Sequence, residues 1–387
     1  MLERSDPRTL EARVEVEAAP ARGGAKLALS VAAREACLKL FPDEASRGDL
    51  RLEDIASLEP FEGGLFELLP RGKIERALDQ YRLQAIRVST GWKGEGVFAE
   101  ARAHPAAARP GLLGKLFFHF LPVRRRVVLS NLRRVFGGRI PDLEVIRIAQ
   151  AFYGHFARLL WECLSVPWLS ARSRARLVRV ENSEAPLAAS AQGKGILILT
   201  GHFGSWEVAP VLGLGNFPEY RGRIHFLRRP IRARWIEAFV TRRFERGGLG
   251  VIGKKGSLPL ILDCLQAGDA VVFIMDQHAS VPKDGIPVEF FGEPAGTFKS
   301  LALIAKASGA PVIPAHGWRD AAGGHTLRFG EPIPWLAADD PAEELRRNTR
   351  AYNEALERMV LEHPEQWFWM HKRWKLDPGS RSGTVES

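Results

Sequence analysis

The sequence predicts an α/β protein: a mixed central sheet with helices on both faces. Three observations predict it. From Gly195 onward short apolar runs alternate with helical segments. Those runs are continuously apolar, as in strands covered on both faces. The composition, 45% hydrophobic and 26% charged over 387 residues, is that of a globular chain with room for a large core plus an extension.

Taken in order, "GILILT" reads as a strand and "SWEVAPVLGL" as a helix start. "RIHFLRR" is a strand, "RARWIEAFVTRRFERGG" and "SLPLILDCLQAG" are helices, and "AVVFIMD" is a strand. "TFKSLALIAKASG" is a helix, "APVIPAHGW" and "HTLRFGEP" are strands, and "PAEELRRNTRAYNEALERMVLEH" is a long final helix. Upstream, Leu112, Leu113, Leu116, Phe117 and Phe120 share one helical face. After Pro122 a second stripe, Val128, Leu132, Val135 and Phe136, lies opposite Arg125, Arg126, Arg133 and Arg134. The plain reading is two amphipathic helices capping a core; the functional one is a basic amphipathic surface on anionic lipid headgroups. "IRIAQAFYGHFARLLWECL" is a further long helix. Residues 1–108, with the Ala/Leu pattern "AKLALSVAAREACLKLF" and the linker "EARAHPAAARP", read as a mainly helical extension; 109–376 form the main domain and 377–387 a disordered tail.

The net charge of +10 suits acidic partners: nucleic acid, anionic headgroups or an acidic carrier protein. The arginines are scattered and interleave no nucleic-acid motif, which argues against that partner. Cys37, Cys163 and Cys264 lie far apart without metal-type spacing and read as reduced thiols. The charged N-terminus lacks an apolar signal region, and no stretch approaches the ~20 apolar residues of a membrane span.

The chemistry gathers in "GILILTGHFGSWEVAP". His202 falls at the C-terminal edge of a strand, where ligand sites of open α/β sheets collect. Gly204 and Ser205 make a turn with Ser205 as N-cap, and Glu207 in the first helical turn would fold back on the imidazole. A carboxylate on one ring nitrogen fixes the tautomer and frees the other nitrogen to take a proton. No GxSxG nucleophile occurs, so the pair suits activation of a substrate hydroxyl. A His-x4-acid pattern arises about once by chance in such a chain, so its meaning rests on context. Asp276, Gln277 and His278 close the strand "AVVFIMD" at the same edge, for acceptor binding or support of the site. His202, Glu207, Asp276 and His278 could also converge on a metal, although no recognised ligand spacing supports one.

"GHFGSWE" resembles the HX4(D/E) signature of the lysophospholipid-acyltransferase superfamily, and specifically the lipid A biosynthesis (lauroyl/myristoyl) acyltransferase family. The similarity extends through "FLRRP", "VTRRFERGGLGVIGKKGSL", the block from "LQAGDAVVFIMDQHASV" to "APVIP", "HPEQWFWMHKRWK" and the early "RRRVVLSNLRRVF", over about residues 111–376. The resemblance implies an O-acyltransferase that moves a fatty acyl chain from acyl carrier protein or acyl-CoA to a hydroxyl of a membrane (glyco)lipid. In that scheme His202 is the base and Glu207 orients it; Arg229, Arg242 and Arg243, with Arg243 foremost, and Asp276 and Gln277 bind substrate. No metal or cofactor is implied beyond the donor, and the expected place is peripheral, on the cytoplasmic face of the bacterial inner membrane. The alternatives are a non-catalytic lipid- or carrier-binding protein of the same fold, or a metal-dependent hydrolase. "VEFFGEPAGTFKS" reads as strand edge, turn and a helix capped by Thr297. "WFWMHKRW" reads either as an interfacial belt, with Trp367, Trp369 and Trp374 alternating with His371, Lys372 and Arg373, or as a packed segment.

Overall fold

A computed structural model describes residues 10–17, 36, 58–60, 66–68, 83–93, 96–105, 108–121, 123–165, 177–214, 217–228, 233–254, 256–320 and 322–376. The chain divides into two compact units, one of residues 1–108 with 135–145 and one of 109–134 with 146–387. The disordered-tail expectation, Arg229 and Cys37 lie outside the described residues.

In the first unit, β1 (Leu10–Glu17), β2 (Leu58–Pro60), β3 (Phe66–Leu68), β4 (Leu83–Lys93) and β5 (Gly96–Pro105) form an antiparallel sheet in the order β1-β5-β4-β3-β2. Among the described residues of the extension, strand is therefore found where a mainly helical segment was expected. The pairing of β4 with β5 runs from Ile86↔Ala103 to Lys93↔Gly96, and Val88 is buried. The Ala/Leu stretch that suggested helix lies outside the described residues except Ala36, which is helical and buried.

The second unit is the α/β layer structure expected. Its strands are β6 (Val178–Glu181), β7 (Ile196–Thr200), β8 (Ile224–Arg228), β9 (Gly250–Gly253), β10 (Ala270–Ile274), β13 (Val312–Arg319) and β14 (His325–Phe329). They form one sheet in the order β6-β14-β13-β7-β10-β8-β9, parallel throughout except for the β13–β14 pair. β7 and β10 pair in register, Ala270↔Ile196 through Ile274↔Thr200. Both faces are covered, so both sets of alternate side chains are apolar: Leu197, Leu199, Val271 and Phe273 on one face, Ile196, Ile198, Ala270 and Val272 on the other. A separate hairpin, β11 (Gly285–Phe290) with β12 (Glu293–Phe298), lies outside this sheet.

The helices are α1 (Leu112–Phe120), α2 (Arg125–Phe136), α3 (Asp142–Ser165), α4 (Glu184–Ser190), α5 (Ala209–Gly213), α6 (Arg234–Gly247), α7 (Leu258–Gln266), α8 (Ser300–Ser308) and α9 (Pro341–Glu362). α9 starts where Asp340 accepts from the backbone N–H groups of Ala342 and Glu343, with Pro341 at the first helical position. α2 buries the predicted stripe of Val128, Leu132, Val135 and Phe136. α1 does the reverse: Gly114 and Phe118 are its buried residues, whereas Leu112 and Phe120 are 74% and 77% exposed. A Cβ on Gly114 would lie 2.2 Å from the Gln150 carbonyl oxygen, so glycine is what lets α1 lie flat against α3.

The C-terminal signature is core at Trp367, Trp369 and Arg373 and exposed at Lys372 and Lys375. Trp367 and Trp369 are buried, and so is Arg373, which donates to the Gly296 carbonyl (2.6 Å), Thr297 Oγ1 (2.8 Å) and Asn353 Oδ1 (3.2 Å). Burial pushes the Arg373 guanidinium down to about 10. Thr297 is accordingly a strand residue that receives this buried cation, not a helix cap.

Candidate active site

The register of β7 and β10 builds the site. Two residues beyond the paired ends Thr200 and Ile274 stand His202 and Asp276, brought side by side across 74 residues of sequence. The His202 backbone N–H donates to Asp276 Oδ2 at 2.7 Å, and His202 Nδ1 donates to Oδ1 at 2.9 Å. The Trp367 indole N–H adds a third bond to Oδ2 at 2.9 Å. Asp276 is fully buried. Burial alone would raise its pKa, but the His202 charge and hydrogen bonds, helped by His371, hold it far below the usual carboxylate range. For His202, burial works downward, and the Asp276 charge and hydrogen bond outweigh it, so its pKa is raised.

The expected hydrogen bond from the His202 ring to Glu207 is therefore not the one found: Nδ1 donates to Asp276. Glu207 sits in a turn, because α5 starts only at Ala209. It lines the same cavity as His202, and burial raises its pKa against the opposing charges of Arg228, Arg243 and His202. Ser205 is likewise not a helix cap. It is buried and donates to Glu162, while Arg319 Nη2 donates to Ser205 Oγ at 3.0 Å. Arg319 also reaches Glu162 from Nε (2.7 Å) and Nη2 (2.6 Å), and Nη1 donates to His155 Nδ1 at 2.8 Å. His155 Nε2 donates in turn to the Gly204 carbonyl at 3.1 Å, so the ring stays neutral; burial, then the Arg319 charge, push it down to about 3. This network clamps the turn that follows His202. Gly204 has φ +55°, and a Cβ there would meet the Gly317 carbonyl oxygen at 2.4 Å, so the turn admits glycine alone.

The His202 ring is walled by Trp206 (5.4 Å between centroids), Phe368 (6.1 Å) and His371 (4.9 Å). Burial pushes His371 down to about 4. Gln277 Nε2 stands 3.5 Å from His202 Nε2. A cavity of about 390 Å³ opens beside them, with Glu207, Arg228, Lys254 and Gln277 at the same end as His202. Behind this polar end it is apolar and follows one face of the sheet from Thr200, Ile274 and Arg228 back to Ile196, Ala270 and Ile224. At about 3.3 Å per strand residue that run is about 13 Å long.

Of the remaining predicted residues, Arg243 is partly buried on α6, donates to the Cys163 carbonyl at 3.2 Å and acts on Glu207 electrostatically. Arg242 is exposed on the same helix and does not line the cavity. Arg228, not singled out in the sequence, lines the cavity and pairs with Glu237 at 2.9 Å. The histidine that joins His202 and Asp276 is His371, not His278: ligand atoms of these three lie within 4.8 Å of one another. Both Asp276 oxygens already accept N–H donors, so a cation there would have to displace the hydrogen bonds that hold His202. This donor set fits a hydrogen-bonded pair, not a metal centre.

A histidine held by a buried carboxylate thus stands at a strand edge beside a long, largely apolar cavity, an arrangement compatible with an acyltransferase. Comparison with known proteins supports that class. The chain is 26% identical over 295 residues to lipid A biosynthesis lauroyltransferase of Escherichia coli (strain K12), covering 74% of this chain and 92% of that protein. It is 26% identical over 308 residues to phosphatidylinositol mannoside acyltransferase of Mycobacterium tuberculosis (strain H37Rv), with 76% and 92% covered. It is 25% identical over 275 residues to lipid A biosynthesis palmitoleoyltransferase of E. coli, with 70% and 85% covered. The protein is an acyltransferase. The family model for bacterial lipid A biosynthesis acyltransferases matches residues 81–376, and the chain belongs to that family.

Proposed function

We propose that this acyltransferase moves a fatty acyl chain from a carrier-protein or coenzyme A thioester to a hydroxyl of a membrane glycolipid, with His202 as general base. The observation that carries the reading is the His202–Asp276 pair. With Nδ1 committed to Asp276, Nε2 is the nitrogen that takes the proton of the acceptor hydroxyl. The freed oxygen attacks the thioester carbonyl carbon, the C–S bond breaks, and the thiolate leaves with a proton returned from the imidazolium. The Asp276 carboxylate stabilises that imidazolium, and Gln277 borders the reacting atoms. Glu207 and Arg228 line the polar end of the cavity, where a phosphorylated or sugar headgroup sits, and Arg243 acts on Glu207 from α6 through its charge. The apolar run behind it takes the acyl chain. The exchange needs no metal or further cofactor.

No described helix is long and apolar enough to cross a membrane. The exposed apolar face of α1, at Leu112, Leu113, Leu116 and Phe120, supports a peripheral seat on a membrane surface. Acyl transfer from labelled acyl carrier protein and acyl-CoA to a membrane lipid extract tests the function and identifies the donor. His202→Ala is expected to lower turnover by 10²–10⁴-fold. Activity unchanged in that variant would remove His202 from the base role.

A further inference from the structure

A second cleft, of about 440 Å³, lies away from the acyl cavity and shares none of its lining residues. Arg126, Ser130 and Arg134 of α2 form one wall; four residues apart, they share a face of the helix opposite the buried Val128 and Leu132. Lys372, Trp374 and Lys375 form the other wall. The cleft is built, not incidental. Asn131 Nδ2 donates to the carbonyls of Trp369 (2.8 Å) and His371 (2.7 Å), pinning α2 to the C-terminal segment. The Trp374 indole donates to the Phe290 carbonyl at 3.1 Å and carries the Arg134 guanidinium 5.7 Å from its ring centroid.

The charge is one-sided. Among the described residues, the ion pair recorded for these four cations is Arg134–Glu293 at 3.2 Å, between two well-exposed side chains. Such an exposed pair is worth little and yields readily to a stronger anion. Arg126, Lys372 and Lys375 are exposed at the rim.

We propose that this cleft binds the phosphate of an anionic lipid headgroup in the membrane on which the protein sits. The inference builds on the membrane contact of α1 proposed above. Two observations favour a lipid over the acidic surface of a carrier protein. The exposed Phe120, Leu121 and Val123 lead directly into the basic run Arg124–Arg126, so a bilayer meeting α1 brings its headgroup layer to this wall. The site is also a cleft with Trp374 in one wall and about 440 Å³ of room, enough for a headgroup phosphate, where a protein partner would favour a broad face.

The test is sedimentation of the full-length protein with phosphatidylcholine vesicles, with and without phosphatidic acid. Phosphatidic acid is expected to strengthen binding. The double variant Lys372→Ala/Lys375→Ala is expected to lose about 30-fold of that gain while keeping its binding to neutral vesicles. Ser130→Trp fills the cleft without changing charge, and is expected to lose about tenfold with an unchanged thermal midpoint. Phosphatidic acid binding that survives Ser130→Trp would overturn the site in favour of diffuse surface charge. Displacement from the vesicles by millimolar inorganic phosphate at constant ionic strength would assign the cleft to a soluble phosphate instead. Vesicle binding intact but carrier-protein binding lost in the double variant would overturn the lipid assignment too. Failure of the wild type to bind neutral vesicles strikes at the α1 contact alone, and His202→Ala is expected to bind every vesicle as the wild type does.

Discussion

Replacing Asp276 by Asn separates the two carboxylates that compete for the role of partner to His202. Oδ2 accepts from two fixed donors, the His202 backbone N–H and the Trp367 indole, whereas Oδ1 accepts from His202 Nδ1. In Asp276→Asn those two donors keep the amide oxygen at the Oδ2 place, so the amide NH2 points at the imidazole. Nδ1 must then accept, the ring proton moves to Nε2, and the nitrogen facing the substrate no longer takes a proton. A tautomer error of this kind costs about 10⁴ in kcat in the serine-protease triad, and about 10³–10⁴ is expected here. The pH profile moves with it. The base acts when neutral, so kcat/KM rises with pH through the His202 pKa, which Asp276 holds up against burial. Without the carboxylate, burial prevails and the acidic limb shifts to lower pH even as the plateau falls. Glu207→Gln removes only a lesser upward influence on His202. It is expected to move the limb slightly and to cost less than about tenfold in kcat. Initial rates of acyl transfer from a labelled donor between about pH 5 and 9 measure both variants. An Asp276→Asn enzyme within tenfold of wild type beside an inactive Glu207→Gln enzyme would refute the assignment of Asp276.

Two further outcomes concern stability and chain selection. Arg319→Met leaves the half-buried Glu162 without its bidentate partner and is expected to destabilise the fold by about 1–3 kcal/mol, read as a lower urea midpoint; an unchanged midpoint would show that the clamp behind Ser205 carries no stability. Ala270→Leu places a larger side chain at the far end of the apolar run. It is expected to shift the preferred donor towards shorter chains, by roughly fourfold per displaced methylene at about 0.8 kcal/mol each. An identical chain-length profile in the folded variant would move the acyl chain out of this part of the cavity.

Much of the α/β layer was legible because buried parallel strands write themselves as unbroken apolar runs: "GILILT", "AVVFIM" and "APVIP" all appear as β7, β10 and β13. β6 and β9 were not, since four residues at or near the edge of a sheet carry too little pattern to separate from loop. The strands of the first unit were not legible because those such as "LEARVEVE" are rich in charge, and the helical pattern lies outside the described residues except Ala36. At the site, His202 was legible from its place at a strand end. Its carboxylate was not, because adjacency in sequence favoured Glu207, while the pairing of β7 with β10 that selects Asp276 is a long-range property. The one available signal was that "AVVFIMD" ends on an acid at the same sheet edge. His371 escaped notice for a related reason: the aromatic and basic residues around it read as a surface belt until burial of Trp367, Trp369 and Arg373 turned the segment inward.

The in-register meeting of two strand ends has a consequence for quality control. The meeting of His202 with Asp276 depends on the backbone pairing of β7 with β10, two residues away. A slip of one residue between β7 and β10 would reverse which face each side chain occupies and part imidazole from carboxylate. A wrongly paired copy of this enzyme is therefore silent rather than sloppy. Activity reports that the sheet has assembled in register.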